Sequence, residues 1–185
     1  MARAKPRANK PFDLQGVDRF TLPVRDLAKA ELFYTQVLGG ETVDRVSIEM
    51  GQWDKPGVRV RMCNGLDLVL VQQYYGWLPI DSTNPHWGFA IAGWDVDTWM
   101  EHLTEWEVPH ALLFREDDQV AMGVPTRVDL HFLDPDGNQL ELVAWDYPMN
   151  DRAWMGRYDP WSLAYNPTSW PPSSARHLLP GAVSS

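Results

Sequence analysis

Apolar positions along the chain follow two rhythms, and the pair of rhythms occurs twice. Residues 17–24 (VDRFTLPV) place Phe20, Leu22 and Val24 at every second position, the period of a strand with one buried face. Residues 27–40 (LAKAELFYTQVLGG) change to helical spacing, with Ala30, Phe33, Tyr34, Val37 and Leu38 recurring on one side. Asp26 is placed to cap this helix, and Gly39-Gly40 to stop it. Further strands are predicted at 41–49, 57–63 (GVRVRMC) and 66–73 (LDLVLVQQ), the last two joined by an Asn64-Gly65 turn. After a loop rich in Tyr, Pro, Asp and Asn the order repeats. A strand at 86–91 (HWGFAI) precedes a helix at 96–108 capped by Asp95, and strands follow at 111–115, 126–133 (TRVDLHFL) and 139–145. The turn at 134–137, Asp-Pro-Asp-Gly, has a proline to preset one dihedral and a glycine to accept positive φ. The repeat predicts an α+β fold of two βαβββ modules, residues 16–76 and 84–145.

The flanks read differently. Residues 1–15 are basic without an apolar run, which predicts a disordered tail and not a secretory signal. Residues 146–185 are rich in Trp, Tyr, Pro, Asn and Ser and have no period. That stretch is too aromatic for an ordinary disordered tail and is expected to pack on the domain or on a partner subunit. The 185 residues, 44% of them hydrophobic, suit one domain with an ordinary core. A net charge of -9 argues against a nucleic-acid partner held through its phosphates. No run is long and apolar enough to span a membrane. The single cysteine, Cys63, excludes an internal disulfide framework and fits a reducing cytoplasm. There is no glycine-rich phosphate loop and no arguable Ser-His-Asp or Cys-His arrangement. Catalysis, if present, is then metal Lewis-acid chemistry or acid–base chemistry by His and Glu.

Two segments carry a resemblance. VDRFTLPVRDLAKAELFYTQVLGG and HFLDPDGNQLELVAW resemble the opening and closing signatures of the vicinal oxygen chelate superfamily. Its members include glyoxalase I, extradiol dioxygenases, fosfomycin-resistance enzymes, methylmalonyl-CoA epimerase and bleomycin-resistance proteins. The resemblance implies that the modules form a curved, cup-like mixed sheet. It also implies a divalent metal in the cup, with ligands from the first and fourth strands of each module. Setting RFTLPV against HWGFAI, and GLDLV against QLELV, carries those places to Arg19, Asp67, His86 and Glu141. Arg19 departs from the pattern, because a guanidinium has no lone pair for a metal. The expected ligands are therefore His86, Glu141 and Asp67, on Fe(II), with Mn(II) or Zn(II) as the other suitable ions. The metal-free alternative is an ion pair from Arg19 to Asp67 or Glu141; Asp67 could also pair with Arg59 or Arg61.

His131 resembles a position near the bound substrate of extradiol dioxygenases. The resemblance thus implies His131 and Glu141 as catalytic residues, with Arg19, His131 and Trp145 touching substrate. A set of His131, His86 and Glu141 would form a two-His-one-carboxylate triad. Strand alternation puts Glu141 on one face with Gln139 and Val143, and turns Leu140 and Leu142 toward the helices. A lone histidine is more often satisfied by hydrogen bonds than by a metal, and His102, His110 and His177 are expected near the surface. The function implied is an extradiol-type dioxygenase cleaving an aromatic vicinal diol, as a homodimer. The alternatives are a glyoxalase-like isomerase or lyase, and a metal-free binding protein of the bleomycin-resistance kind.

Overall fold

The computed structural model describes residues 18–50, 53–72, 87–114, 126–147 and 170–179. The first module holds β1 (Arg19–Val24), α1 (Leu27–Leu32), β2 (Glu41–Met50), β3 (Trp53–Arg61) and β4 (Asp67–Gln72). The second holds β5 (Trp87–Ala90), α2 (Val96–Glu105), β6 (His110–Phe114), β7 (Thr126–Leu133) and β8 (Gln139–Tyr147). Each module makes its own open four-stranded sheet, in the orders β1-β4-β3-β2 and β5-β8-β7-β6. The first and fourth strands of each module run parallel, and the other neighbours are antiparallel. This is the predicted pair of βαβββ modules, built as two sheets.

Each sheet has a back face toward the helices and a front face turned away. Leu22, Val24, Val58, Val60, Leu68 and Leu70 from the first sheet join Leu130, Phe132, Leu140 and Leu142 from the second in one buried cluster. Between them lie Ala30, Phe33, Tyr34, Val37 and Leu103. Ala30 through Tyr34 are buried without a break, wider than a one-sided helical stripe, so this helix is covered on several sides. Each large apolar side chain buried here contributes about 1.5–3 kcal/mol, which ties the modules together more strongly than any polar contact between them.

The helix ends show which local signals acted. Asp26 caps α1, its Oδ1 accepting the N–H of Lys29 at 3.1 Å. The helix continues as a π-helical turn, Phe33–Val37, and Gly39 leaves it at φ 70°. Asp95 precedes α2, but its side chain makes no capping bond, contrary to the sequence expectation. Glu31 is buried beside this layer and is balanced by Arg45 at 2.8 and 2.9 Å and by the Thr42 hydroxyl at 2.9 Å.

The described part of the C-terminal stretch packs on the helix side. Trp170 is buried against Phe33, with ring centroids 5.5 Å apart, and its indole N–H donates to the Trp106 carbonyl at 3.2 Å. Trp154 and Trp161, and the first 17 residues, lie outside the described residues.

Candidate metal centre on the second sheet

The hairpin from β7 to β8 sets the site. Its turn is organised by Asp134, which is fully buried. Asp134 Oδ1 accepts the N–H groups of Asp136 at 2.9 Å and Asn138 at 2.8 Å. Oδ2 accepts the Asn138 amide at 2.7 Å and the Tyr34 hydroxyl at 2.9 Å. Gly137 closes the turn at φ 86°, a conformation side chains other than glycine's resist. Burial pushes the Asp134 carboxyl up, and these hydrogen bonds oppose that shift. The Tyr34 hydroxyl is pushed well above its usual range by burial and then by the neighbouring Asp134 charge. Asp136 is raised to about 6 by burial first; the Arg25 N–H, at 2.7 Å, works against the rise.

This turn fixes the ladder so that His131 stands opposite Glu141, and Asp129 opposite Val143. Leu130 and Leu142 on the intervening positions go to the core, so Asp129, His131 and Glu141 share the front face. All three are buried, with Asp129 0% and His131 and Glu141 7% exposed. His131 Nε2 lies 3.6 Å from Glu141 Oε2, and the ring's Nδ1 lies 3.3 Å from the Gln139 amide nitrogen. Arg127 Nε donates to Asp129 Oδ1 at 2.8 Å, and its guanidinium lies 4.6 Å from the Trp145 ring centre. One ligand atom from each of Asp129, His131 and Glu141 falls within 4.8 Å of the others.

Glycine completes the geometry. Gly88 on β5 is the ladder partner of Glu141, and a Cβ there would stand 2.9 Å from Glu141 Oε1. The glutamate side chain thus lies across the strip of β5 that has no side chain.

The donor set suits a divalent ion. Two donors on one ion at bonds of about 2.1 Å stand about 3.0 Å apart at a right angle and about 4.2 Å apart when opposed. The His131–Glu141 separation of 3.6 Å falls inside that window, and all three donor atoms lie within 4.8 Å of one another. Gln139 at Nδ1 is the kind of partner that orients a ligating imidazole.

The sequence-expected residues divide between the two sheets. Glu141 and His131 meet as described. Asp67 lies in the first sheet, where Arg61 takes both its oxygens at 2.9 and 3.2 Å and Arg59 approaches to 3.6 Å. Hydrogen bonding and charge from Arg61 hold the Asp67 carboxyl below its usual range. Arg19 is the ladder neighbour of Asp67 on β1, yet its recorded ion pair is with exposed Asp18, at 3.9 Å. His86 lies outside the described residues. In ladder position Gly88 matches Arg19, whereas the sequence repeat had set His86 against it. Trp145 lies on β8 and is 59% exposed. His102 and His110 are half-buried, with ring nitrogens 3.0 Å from the Val37 carbonyl and 2.9 Å from that of Val108; His177 is exposed. Sequence reasoning missed Asp129 and Gly88. The signal for Asp129 was there: TRVDLHFL spaces Asp129 and His131 two apart, on the face that a hairpin would set beside Glu141.

Residues 16–142 match the sequence model of the Glyoxalase/Bleomycin resistance protein/Dioxygenase superfamily. The chain belongs to that superfamily. Among solved structures it is similar to the glyoxylase/bleomycin resistance protein/dioxygenase domain from Frankia sp. EAN1pec, at 25% identity and TM-score 0.57, covering 72% of this chain and 93% of that one. It is also similar to the genomically encoded fosfomycin resistance protein FosX from Listeria monocytogenes, at 22% identity and TM-score 0.55, covering 71% and 94%. A third similar structure is the superfamily protein from Alicyclobacillus acidocaldarius, at 19% identity and TM-score 0.53, covering 76% and 96%. No curated protein sequence matches the chain. These likenesses are to the superfamily's fold, which hosts several chemistries, so the reaction has to be argued from the site. Among the described residues no helix is long and apolar enough to cross a membrane.

Proposed function

We propose that this superfamily member is a divalent-metal-dependent enzyme acting on a small molecule with neighbouring oxygen atoms. The observation that carries the reading is the buried convergence of Asp129, His131 and Glu141 on one sheet face. Those three residues would hold the ion. A bound divalent cation would polarise a substrate oxygen and offset negative charge developing on it. The chain's own groups do the rest. Glu141 Oε1, over Gly88, is the proton acceptor; Oε2 faces His131. Gln139 fixes the His131 ring, and its amide can present oxygen or nitrogen to Nδ1, so it serves either tautomer. Arg127 holds Asp129 in place and leaves the Trp145 ring at the rim, where a flat substrate could stack.

One imidazole with two carboxylates favours Mn(II) or Fe(II) over softer ions. A FosX structure from Listeria monocytogenes is described as complexed with Mn(II) and sulfate, which is in keeping with this choice. Ring cleavage of an aromatic vicinal diol by Fe(II) is the finer reading. It calls for a second imidazole, and His86 is the residue to test for it. We place the enzyme in the cytoplasm, on the strength of its lone cysteine, and as a homodimer. Loading the purified protein anaerobically with Mn(II) or Fe(II) and measuring bound metal tests the proposal. Near-stoichiometric metal that is lost in Glu141→Gln supports it. A protein that stays metal-free yet binds planar ligands would replace it with the bleomycin-resistance type of binder.

A further inference from the structure

The helix side holds a hollow that the metal centre does not use. The end of the π-helical turn and the first half of α2 enclose about 320 Å³ between them, at the small end of ordinary ligand pockets. Its floor is apolar. Val37 is buried, and Gly39, at φ 70°, has open space where a Cβ would stand. Trp99 and His102 form one wall, their rings 5.6 Å apart and at 87°. His102 Nε2 lies 3.0 Å from the Val37 carbonyl, which ties α2 to the end of the π-helical turn. That oxygen can only accept, so in the neutral ring Nε2 carries the hydrogen and Nδ1 keeps its lone pair.

The exposed rim is made by Gln36, Thr98 and Asp95. The Asp95 carboxylate is not spent on capping α2, and it has no ion pair among the described residues. Neither lysine nor arginine is among the described residues that line the hollow. The N-terminus of α2 contributes about half a positive charge. Asp95 and Asp97 put two full negative charges at the same end, so the field at the rim is negative.

We propose that this hollow binds a small organic cation carrying one flat ring, such as an aromatic amidine or amine. The ring would lie against Trp99 over Val37, where the indole face also attracts positive charge. The charged N–H groups would donate to Asp95, with the Gln36 amide oxygen and the Thr98 hydroxyl as further acceptors; charge-assisted bonds of this kind are the strong ones. The site stands apart from the metal centre, since its residues come from the π-helical turn and α2 and the metal-centre residues from β7 and β8.

Titration of the full-length protein, followed by amide and indole N–H NMR shifts, tests this with benzamidinium, benzamide and methylammonium. Benzamidinium is expected to saturate, shifting the Trp99 indole and Gly39 amide signals. Benzamide, of nearly the same shape without the charge, is expected to bind at least tenfold more weakly, and so is methylammonium, which has the charge without the ring. Benzamide binding as tightly as benzamidinium would overturn the cationic half of the proposal, and methylammonium doing so would overturn the ring half. Asp95→Asn is expected to raise the benzamidinium dissociation constant at least tenfold. Thr98→Lys, which sets an ammonium at the exposed rim, is expected to abolish binding. Trp99→Leu is expected to weaken it several-fold. Glu141→Gln is expected to leave it within twofold. Equal binding in wild type and Asp95→Asn overturns the site. So does loss of binding in Glu141→Gln, which would place benzamidinium at the metal centre instead. Asp95 and Thr98 are exposed, so their variants read the hollow even if Trp99→Leu folds poorly.

Discussion

The two sheets share one topology, and their front faces are close to chemical opposites. In each, a carboxylate on the fourth strand sits at the same ladder place: Asp67 opposite Arg61, and Glu141 opposite His131. Two residues along, Arg59 stands opposite Val69 and Asp129 opposite Val143. On the neighbouring parallel strand, Arg19 pairs with Asp67 and Gly88 with Glu141. Thus the first carboxylate has arginines at three ladder positions where the second has histidine, aspartate and glycine. Arg61 takes both oxygens of Asp67, with Arg59 beside them, and two guanidiniums there exclude a cation, whereas Arg127 bonds Asp129 through Oδ1. An imidazole and a second carboxylate concentrate negative charge and lone pairs, and a bare glycine gives the glutamate room. The back faces keep the same apolar alternation in both sheets, because both meet the same helices. The scaffold is set by one face of each strand and the chemistry by the other.

The largest effect should come from removing the groups that separate the sheets. Glu141→Gln or Asp129→Asn is expected to weaken Mn(II) binding at least about 100-fold, since a neutral amide is a poor ligand; calorimetric titration reads it. Next, Gly88→Val gives the second sheet a side chain where it has none and pushes the Glu141 carboxylate aside. A roughly tenfold loss of metal affinity is expected, with little change in melting temperature, because the clash is with the far end of a flexible chain.

Stability tests probe the turn that only the second module has. Tyr34→Phe takes a buried donor from Asp134 and should cost about 1–2 kcal/mol in chemical denaturation. Asp136 gives a pH signature. Its carboxyl titrates near 6 in the folded chain against an ordinary 3.8, so the folded state holds the proton more tightly. Its contribution to stability is full below about pH 4, falls as pH rises toward 6, and is flat above that. Asp136→Asn keeps an oxygen for the Arg25 N–H and should remove this slope. It should gain about 1 kcal/mol at pH 7, after discounting for the part of the group that faces water. Burial is the main cause of the raised value; the Arg25 N–H and charge work against it, and the charges of Asp134 and Asp26 add to it. The smallest effect belongs to Asp67→Asn: metal binding equal to wild type, because that carboxylate is committed to arginines. A loss of metal there would break the comparison.

The back faces were legible in the sequence because alternation and helical spacing report burial directly. Leu140 and Leu142 turned inward as their spacing required. Glu141 was legible for the same reason, as a charge at the wrong phase for the core. The rest depended on contacts between strands that periodicity does not carry. The partner of Asp67 was open between Arg19, Arg59 and Arg61, and only the ladder and the side-chain reach decide for Arg61. Asp129 was hidden as one more polar position of an alternating strand, until the hairpin register set it beside His131 and Glu141. Gly88 gave no signal, since a glycine's role here is the space it leaves. Asp95 failed as a cap although its residue type was right, because its backbone is already helical and its side chain does not turn back.

Anomalous diffraction at the manganese edge, from crystals of the full chain soaked in Mn(II), tests the central claim most directly. The account predicts one strong peak bounded by Asp129, His131 and Glu141, absent in Glu141→Gln crystals. A peak at the Arg19–Asp67 face, or no peak at the second sheet under saturating Mn(II), would contradict it.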